Sequence, residues 1–475
     1  MKRISGLFFC FLILTAGAHA QSKQWTLQQC IDSALARNLT IKQRGLQTET
    51  ASVNAGQAKA NLLPGASAGV DHGIQQGRSI DPFTNAYVNQ RVNYAGYFAG
   101  SDVVLFNGLS LRNSVRQTGY AREAARMDQQ QERDNVTLNV ILAYLQVLNN
   151  EDLLTISKAQ VAVTQQQVDR LEKLNREGAI SPPILYDLQG QLKGEEVNVV
   201  NARNAVETAK LTLLQLMNLP YDSAMTVTRD GTENIPVRYA ATSEAVYQNA
   251  LDRLAMVKAS SLRTRSAEAA VKAARGLLYP SLLLSGNVNS NYSSVARREN
   301  LLGSSDVATD AYVFVNGGKT PVMARQNNIA FEKIGYKDQV KNNVSTNIGV
   351  GLRIPLFNAM QTRNQIKLAK INVRTAELVE ETTRLQLRQA IEQAHLAMVN
   401  AWQRYKVMQE QVAAYAESFR AAEVRFNAGV GTLVTYSVDY LLAKNRLDQA
   451  NLNLVVARYD YVLRTKVLDF YNGIQ

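Results

Sequence analysis

The chain has 475 residues, of which 46% are hydrophobic, 27 are glycine and only 9 are proline. So little proline excludes a collagen-like or loop-rich protein and favours long helices, and 2 cysteines exclude a disulfide scaffold. The net charge of +12 raises the question of a nucleic-acid partner, and the N-terminus argues against one.

Residues 1–20 have the pattern of a cleaved secretion signal. Two basic residues precede an apolar run over 7–16, and Ala18-His19-Ala20 is an A-x-A cleavage site. Because the run is too short to span a bilayer, we expect removal; retention as an anchor helix is the alternative. Cys10 follows Phe9 rather than a small residue, so no lipid attachment is expected. An exported protein is the prediction, without nucleic acid as a partner.

The rest of the chain is a tandem repeat. Thr26–Pro64 aligns with Thr242–Pro280 at an offset of 216, with 11 of 39 positions identical. Further along, the offset is 251, where Phe106-Asn107 meets Phe357-Asn358. The sequence therefore predicts two similar halves, covering 21–240 and 241–475.

The sequence of each half predicts, in chain order, a helix, two strands, a very long helix, a turn and a returning helix. The first helix of each half, 26–63 in the first, ends at a proline, and the segments that follow alternate between apolar and polar residues. Strands are predicted at about 66–77, 91–106, 281–292 and 343–357. The last is the clearest, because its alternation continues over about 14 residues. That length suits a tilted membrane-spanning strand, and the edge of a soluble sandwich is the alternative.

Four strands cannot close a barrel within one chain, since the smallest barrels have about eight. Open strand edges are not tolerated in lipid. If the strands enter a membrane, the chain must therefore assemble with other copies, each contributing four strands.

The second half has about 35 additional residues, which fall within 291–341, between its two strands. Turn signals at Gly303–Asp306 and Asn316–Lys319 predict an enlarged external loop. The loop either gates or binds something outside the cell, or is a tolerated surface insertion.

Long helical hairpins are predicted over 108–217 and 359–471. No proline interrupts Gly108 to Gly178, a stretch of about 70 residues that would form a helix roughly 105 Å long. Apolar residues recur every seven positions along both long helices, which predicts left-handed coiled-coil packing. These seam positions are Val140, Val147, Leu154, Val161, Val168, Ile391, Met398, Tyr405, Val412 and Phe419. Periodicity alone leaves open whether the helices form a tube or a solid bundle.

No motif for catalysis or metal binding is present in the sequence. There is no G-x-S-x-G, H-E-x-x-H, P-loop or dinucleotide-binding glycine pattern. His72 and His395 have no partners at metal-ligand spacing, and scattered acidic residues indicate solvated helix faces. We therefore expect neither an enzyme nor a cofactor or metal.

Several segments together resemble one known family. They are Leu62-Leu63-Pro64, Leu105-Phe106-Asn107-Gly108, Phe426-Asn427-Ala428-Gly429, Ala443-Lys444-Asn445-Arg446-Leu447 and the ending from Ala457 to Gly473. No single segment is specific, but their combination with the signal and the repeat is. Over about 450 residues the chain resembles the TolC-like outer-membrane efflux proteins.

The resemblance implies a mainly helical homotrimer with a 12-stranded membrane β-barrel continued by a 12-helix α-barrel in the periplasm. It implies a passive exit duct for small molecules in the outer membrane, working with a periplasmic adaptor (membrane fusion protein) and an inner-membrane transporter. The hairpin tips, expected to dock the adaptor, are Gly178, Ala179, Gly429, Val430 and Gly431. Export of a polypeptide by one-step secretion and a soluble periplasmic coiled-coil scaffold are the alternative functions.

The resemblance also implies an acidic entrance to the duct, matched here by Asp439. Leu442 stands where the family carries a second acidic residue, and Phe426 where it carries an aromatic hydroxyl. The entrance would therefore hold one carboxylate per chain. A plain surface aspartate is the alternative for Asp439.

Overall fold

The computed structural model describes residues 24–80, 85–89, 91–229, 236–428 and 433–474. The predicted secretion signal lies outside these ranges. The helices are α1 (Leu27–Arg37), α2 (Leu39–Ala60), α3 (Ser110–Arg176), α4 (Pro182–Leu216), α5 (Ser243–Arg253), α6 (Ala255–Gly276), α7 (Tyr336–Asn342), α8 (Gln361–Ala428) and α9 (Leu433–Tyr471). The strands are β1 (Gln24–Trp25), β2 (Gly65–Gln75), β3 (Arg78–Ile80), β4 (Tyr87–Asn89), β5 (Val92–Asn107), β6 (Thr226–Val227), β7 (Ser281–Ser293), β8 (Arg297–Val315), β9 (Gly318–Lys333) and β10 (Ser345–Arg353).

The chain divides into two compact units. One contains the described residues of 1–51, 121–264 and 376–475, and the other contains the described residues of 52–120 and 265–375. The first unit is helical apart from the two-residue pair β1–β6, and the second contains the longer strands. Within the described ranges, no helix combines the length and the apolar character needed to cross a membrane.

The expected single helix over 26–63 is wrong, because the chain breaks at Asn38. Asn38 is extended, with φ −60° and ψ 125°, and separates α1 from α2. Its side-chain oxygen accepts hydrogen bonds from the backbone N–H groups of Thr40 and Ile41, at 2.8 and 3.1 Å. This is how an N-cap starts a new helix. Leu254, with φ −68° and ψ 133°, makes the equivalent break between α5 and α6.

The four strands predicted in the two halves form one antiparallel sheet, in the order β10-β7-β5-β2. Strand β7 pairs with β10 within the second half, and β5 pairs with β2 within the first. The two pairs have the same register: Leu352 opposite Leu282 corresponds, by the offsets of 251 and 216, to Ser101 opposite Ala66. The central β5–β7 pair joins the two halves.

Strand β10 is shorter than the 343–357 that the alternation predicts. Its last residue, Arg353, pairs with Ser281, and Pro280 precedes Ser281. Beyond that pair the neighbouring strand has ended, and Pro355 has no N–H to donate. The alternation of the sequence therefore continues past the last hydrogen-bonded pair.

The expected loop in the insertion is instead a long two-stranded ribbon, β8–β9. Gly303 does not make a turn; it lies in β8 next to a register shift and pairs with Asn328, so that part of the prediction is wrong. The hairpin turn is at Asn316-Gly317, whose positive φ values of 51° and 85° suit a two-residue β-turn. The fold class predicted from four strands omitted this ribbon.

The core of the helical unit lies where α1, α3 and α4 meet the β1–β6 pair. Val140, Val147 and Leu213 are fully buried there, together with Cys30. Burial raises the pKa of the Cys30 thiol to about 12. Cys30 is therefore a packing residue and not a nucleophile at neutral pH.

Gly276, at the end of α6, gives a direct test of the strand unit. A Cβ there would lie 2.7 Å from the carbonyl oxygen of Gly108 and 2.8 Å from the backbone nitrogen of Ser110. We expect Gly276→Ala to destabilise the protein by about 1–3 kcal/mol, because backbone must move. Gly56→Ala, in α2 with nothing within 4 Å, is the matched control and should gain about 0.5–1 kcal/mol. Thermal unfolding followed by circular dichroism measures both, and equal shifts would contradict this packing.

Candidate functional site

The four-stranded sheet has one mainly apolar face and one mainly small or polar face. Alternation along the paired strands puts on the apolar face Val70, Tyr97, Ala99, Val103, Leu284, Val288, Ile348, Val350 and Leu352. The opposite face carries Ser67, Asp71, Asp102, Ser285, Asn287, Asn289, Asn347, Gly349 and Gly351, with Tyr94, Phe98, Val104 and Leu283 as the larger exceptions. The apolar face is open, since Ile348 is 78% exposed and Val70 66%.

Aromatic side chains lie at both ends of this apolar face. At one end Tyr292 packs on Tyr336 with ring centroids 4.9 Å apart, and Tyr97 shares a hydroxyl hydrogen bond with Tyr336. At the other end are Phe106 and Tyr279, both exposed. Ten residues of β7 separate the Leu282 level from Tyr292, which is roughly 33 Å along the strand and roughly 25 Å in height at a tilt of about 40°.

The outer edges of the sheet, on β2 and β10, have no strand partner among the described residues. Each is therefore a row of backbone N–H and C=O groups available for pairing. The paired edges are those of β5 and β7, which join the first half to the second.

Helices α2 and α8 also have uncovered apolar faces. On α2, Leu39, Leu46 and Val53 recur at seven-residue spacing and are 64–70% exposed. Their repeat equivalents on α6 are covered: Ala255 and Ala269 are buried. On α8 the exposed apolar residues include Leu368, Ile371, Leu378 and Leu385. One face of each helix is thus left without a partner.

Helices α3 and α6, which are the repeat equivalents of α8 and α2, pack together within the chain. In the strand unit the Ser266 hydroxyl donates to the backbone oxygen of Gln117 at 2.9 Å. In the helical unit Arg263 pairs with Asp128, and the Met256 N–H donates to the Gln131 side chain at 3.0 Å. The α3–α6 contact joins the first half to the second, as β5–β7 does.

The predicted seam residues all lie on the inner sides of the long helices. Val140, Val147, Val168, Ile391, Met398 and Tyr405 are buried, and Leu154, Val161, Val412 and Phe419 are half-buried. Their role in a tube of helices stays a prediction.

At the hairpin tips, Gly178 follows α3 with φ +68°, the left-handed conformation that ends a helix, and Ala179 is exposed. The second predicted tip, Gly429, Val430 and Gly431, lies outside the described residues.

Asp439 is exposed on α9. Next to it in sequence, the ring of Tyr440 stacks on the ring of Phe426, with centroids 4.8 Å apart. Asp439 is not part of this stack. Burial raises the pKa of Tyr440 to about 12.

A buried polar cluster between α3, α4 and α9 was missed by sequence reasoning, which took the acidic residues for solvated faces. Lys444, only 3% exposed, donates to Glu195 at 3.0 Å and to Asp448 at 2.5 Å. Thr164 donates to the second Glu195 oxygen at 2.6 Å, and Gln191 donates to the first at 2.9 Å. Burial raises the pKa of the Asp448 carboxyl, and Lys444 opposes that shift.

The Lys444 cluster joins the two helical hairpins by hydrogen bonds. Within the described ranges, no three His, Cys, Asp or Glu residues are grouped so that they could hold a metal ion. The one sequence signal for the cluster is the i, i+4 spacing of Lys444 and Asp448, combined with the inward position of Lys444 on α9. That spacing alone occurs on many exposed helix faces.

A family model described as outer membrane efflux protein matches residues 30–219 and 246–473 of the chain. The outer membrane protein TolC of Vibrio cholerae is 24% identical over 334 residues, which span 70% of this chain and 66% of that protein. TolC of Escherichia coli is 22% identical over 457 residues, spanning 94% of this chain and 82% of that protein. The crystal structure of the outer membrane protein VceC of Vibrio cholerae has the same fold, with a TM-score of 0.71 at 16% identity, covering 94% of this chain and 97% of that one.

Replacing Lys444 by alanine would leave the Glu195 carboxylate buried without its cation. Removing one partner of a buried ion pair costs about 3–5 kcal/mol, so we expect the helical circular dichroism signal to be lost at a clearly lower temperature. Lys466→Ala on the same helix is the matched control, because Lys466 is 48% exposed beside Asp469. Its effect should be about 0–1 kcal/mol. Equal melting temperatures for the two variants would show that the cluster does not hold the hairpins together.

Proposed function

Because the chain belongs to the outer membrane efflux protein family, we propose that three copies of it form a passive exit duct in the outer membrane. The duct carries small molecules from the periplasm to the exterior, as the outermost part of a tripartite efflux system. The observation that carries the proposal is the pair of open sheet edges, β2 and β10, whose repeat equivalents are paired within the chain.

The repeat predicts how those edges close. Inside one chain, β5 of the first half pairs with β7 of the second. The same contact, made once more between the second half of one copy and the first half of the next, pairs β10 with β2. Applying the offsets to Ser101 opposite Gly286 puts Leu352 opposite Val70 of the next copy. A ring of such contacts leaves no open edge, as lipid requires.

The helices support the same ring. The α3–α6 contact within the chain has its equivalent in α8 of one copy against α2 of the next. The faces that this contact would cover are those that carry exposed Leu39, Leu46 and Val53 on α2 and Ile371 and Leu378 on α8. Covering these faces would remove apolar surface from water, which stabilises an assembly by about 25 cal/mol for each Å² buried.

The apolar face of the sheet suits contact with lipid. Its height of roughly 25 Å, between Phe106 and the Tyr97–Tyr292–Tyr336 group, is that of the apolar band of an outer-membrane barrel with aromatic residues at both boundaries. The small and polar residues of the other face would then line the water-filled interior. Three copies give 12 strands and 12 long helices, the number that the family resemblance implies.

We assign energy supply and partner recognition to other proteins. In this proposal, transport through the duct is passive. An inner-membrane transporter would supply the energy, and a periplasmic adaptor would dock at the hairpin tips that include Gly178 and Ala179. Asp439, exposed on α9, would contribute one carboxylate per copy to the entrance and favour cations.

Paired cysteines test the closure. Leu352→Cys with Val70→Cys, and Ile348→Cys with Ile74→Cys, should form disulfides between copies. The repeat predicts that these residues lie directly opposite each other, as Ser101 and Gly286, and Tyr97 and Ser290, do within the chain. The exchanged pairs, Leu352 with Ile74 and Ile348 with Val70, are the matched controls, displaced by four residues. Non-reducing electrophoresis of outer membranes reads the outcome. Since β2 and β10 are at opposite edges of the sheet, a link within one copy is excluded.

Covalent trimers from the matched pairs and not from the exchanged pairs are expected. Links in the exchanged pairs alone would contradict the register, and no links in any pair would contradict the ring.

Asp439→Asn tests the entrance. Removing the carboxylate should reduce the ratio of cation to anion permeability in planar bilayers on the order of twofold, because a ring of three negative charges is lost. Asp32→Asn, an exposed aspartate on α1, removes the same charge elsewhere and should leave the ratio unchanged. An unchanged ratio in both variants would make Asp439 an ordinary surface residue.

A further inference from the structure

The β8–β9 ribbon is the largest feature that the duct does not explain. Strand β8 has 19 residues and β9 has 16, so the ribbon is about 60 Å long. It pairs with no other strand among the described residues, and nearly all of its side chains are exposed. A two-stranded ribbon is marginally stable by itself in water.

The ribbon starts from a firmly held root. Gln339 of α7, 1% exposed, accepts a hydrogen bond from the Ser293 N–H and donates to the Ser293 carbonyl oxygen, at 2.9 and 3.0 Å. The Ile334 N–H donates to the carbonyl oxygen of fully buried Ala296 at 3.2 Å. The side-chain amide of Gln339 thus continues the pairing of β7 beyond Asn289, the partner of the first residue of β10, Ser345. The root is held by these hydrogen bonds, whereas the rest of the ribbon pairs, within the described ranges, only between its own two strands.

The distal half of the ribbon, Val307–Ala324, is apolar on both faces. The pairing of the two strands assigns the side chains to their faces. One face, called here the aromatic face, carries Tyr312, Phe314 and Met323, which are 49–67% exposed. The other, called here the valine face, carries Val307, Val313, Val315 and Val322, which are 38–53% exposed. The middle of the ribbon is polar, with Ser304, Ser305, Asp306, Arg325, Gln326, Asn327 and Asn328. Nearer the root, Leu301, Leu302, Ile329 and Phe331 are exposed as well, so the polar stretch separates two apolar parts.

Two apolar faces on one ribbon imply two neighbours. In a ring of three identical copies each copy contacts the next through two different surfaces, so the contact is heterologous. An aromatic face on one side and a valine face on the other meet this requirement. The charge also permits self-association, because Asp310 and Lys319 are the charged residues of the distal half and their charges cancel. Lys319 already lies over the Tyr312 ring, 4.3 Å from its centroid.

The other two copies are also within reach. A ring of 12 strands spaced about 4.8 Å apart and tilted about 40° has a circumference of about 75 Å, so equivalent points on neighbouring copies are about 20 Å apart. A ribbon of about 60 Å easily spans that separation. Tethering at such distances gives an effective concentration in the millimolar range, above that of any free partner.

We propose that the distal halves of the three ribbons pack on one another at the external end of the duct, the aromatic face of each against the valine face of the next. This proposal rests on the three-copy duct proposed above. The additional residues of the second half, within 291–341, would then form an interface between copies.

Co-assembly of two single-cysteine chains tests this contact. One chain carries Tyr312→Cys, on the aromatic face, and the other carries Val322→Cys, on the valine face, with tags of different size. A bismaleimide that spans the separation of about 10 Å between stacked sheets should link them in intact cells. The matched control is Ser304→Cys with Gln326→Cys, which also lie on opposite faces but in the polar middle of the ribbon. We expect at least tenfold more linked product from the distal pair than from the control.

A second variant keeps the test informative. Val313→Lys with Phe314→Lys in both chains should abolish the distal link by like-charge repulsion, while Gln326→Lys with Asn327→Lys in both chains should preserve it. The disulfide between Leu352→Cys and Val70→Cys is measured alongside as the report on the duct. If that disulfide forms and the distal pair does not link, the ribbon contact is wrong and the duct stands.

If neither forms, the duct itself is wrong. A distal cysteine that links to a different protein, or whose attached fluorophore is quenched by nitroxide lipids, would overturn the contact between ribbons in favour of an external partner or of lipid.

Discussion

The structure depends on one constraint: backbone N–H and C=O groups at a strand edge cannot be left unpaired in lipid. This chain folds a four-stranded sheet with an exposed apolar face and two open edges. The proposed ring would correct both features. Closing the sheet with identical sheets would pair the edges, and a bilayer would then cover the apolar face.

Because of the tandem repeat, closure by identical copies would reuse a contact that the chain already makes between its own two halves. The two halves use the same β-pair register and the same helix breaks, at Asn38 and Leu254. The contact between halves is formed once within the chain, through β5–β7 and α3–α6. In the proposed ring the same contact would form a second time, between neighbouring copies. The buried Lys444–Glu195–Asp448 cluster has a different part, since it joins the hairpins within one chain.

The sequence predicted the features that follow from periodicity, and missed those that follow from pairing. Alternation located all four strands of the sheet, and the absence of proline predicted the long helices. The break at Asn38 was missed because an asparagine side chain can cap a helix or face solvent equally well. Gly303 predicts a turn wrongly, because glycine is common both in turns and at irregularities within strands, and the sequence does not tell the two apart. The burial of Glu195 cannot be predicted locally, because its partner Lys444 is 249 residues away in the chain.

The number of copies in the purified assembly tests the central claim most directly. Native mass spectrometry of the protein released from detergent micelles would count them. The account predicts three chains per particle, with no stable monomer, because each sheet needs its neighbours on both edges. A particle of one chain that remains folded in detergent-free buffer would contradict the account, since its sheet would have open edges and no need of lipid.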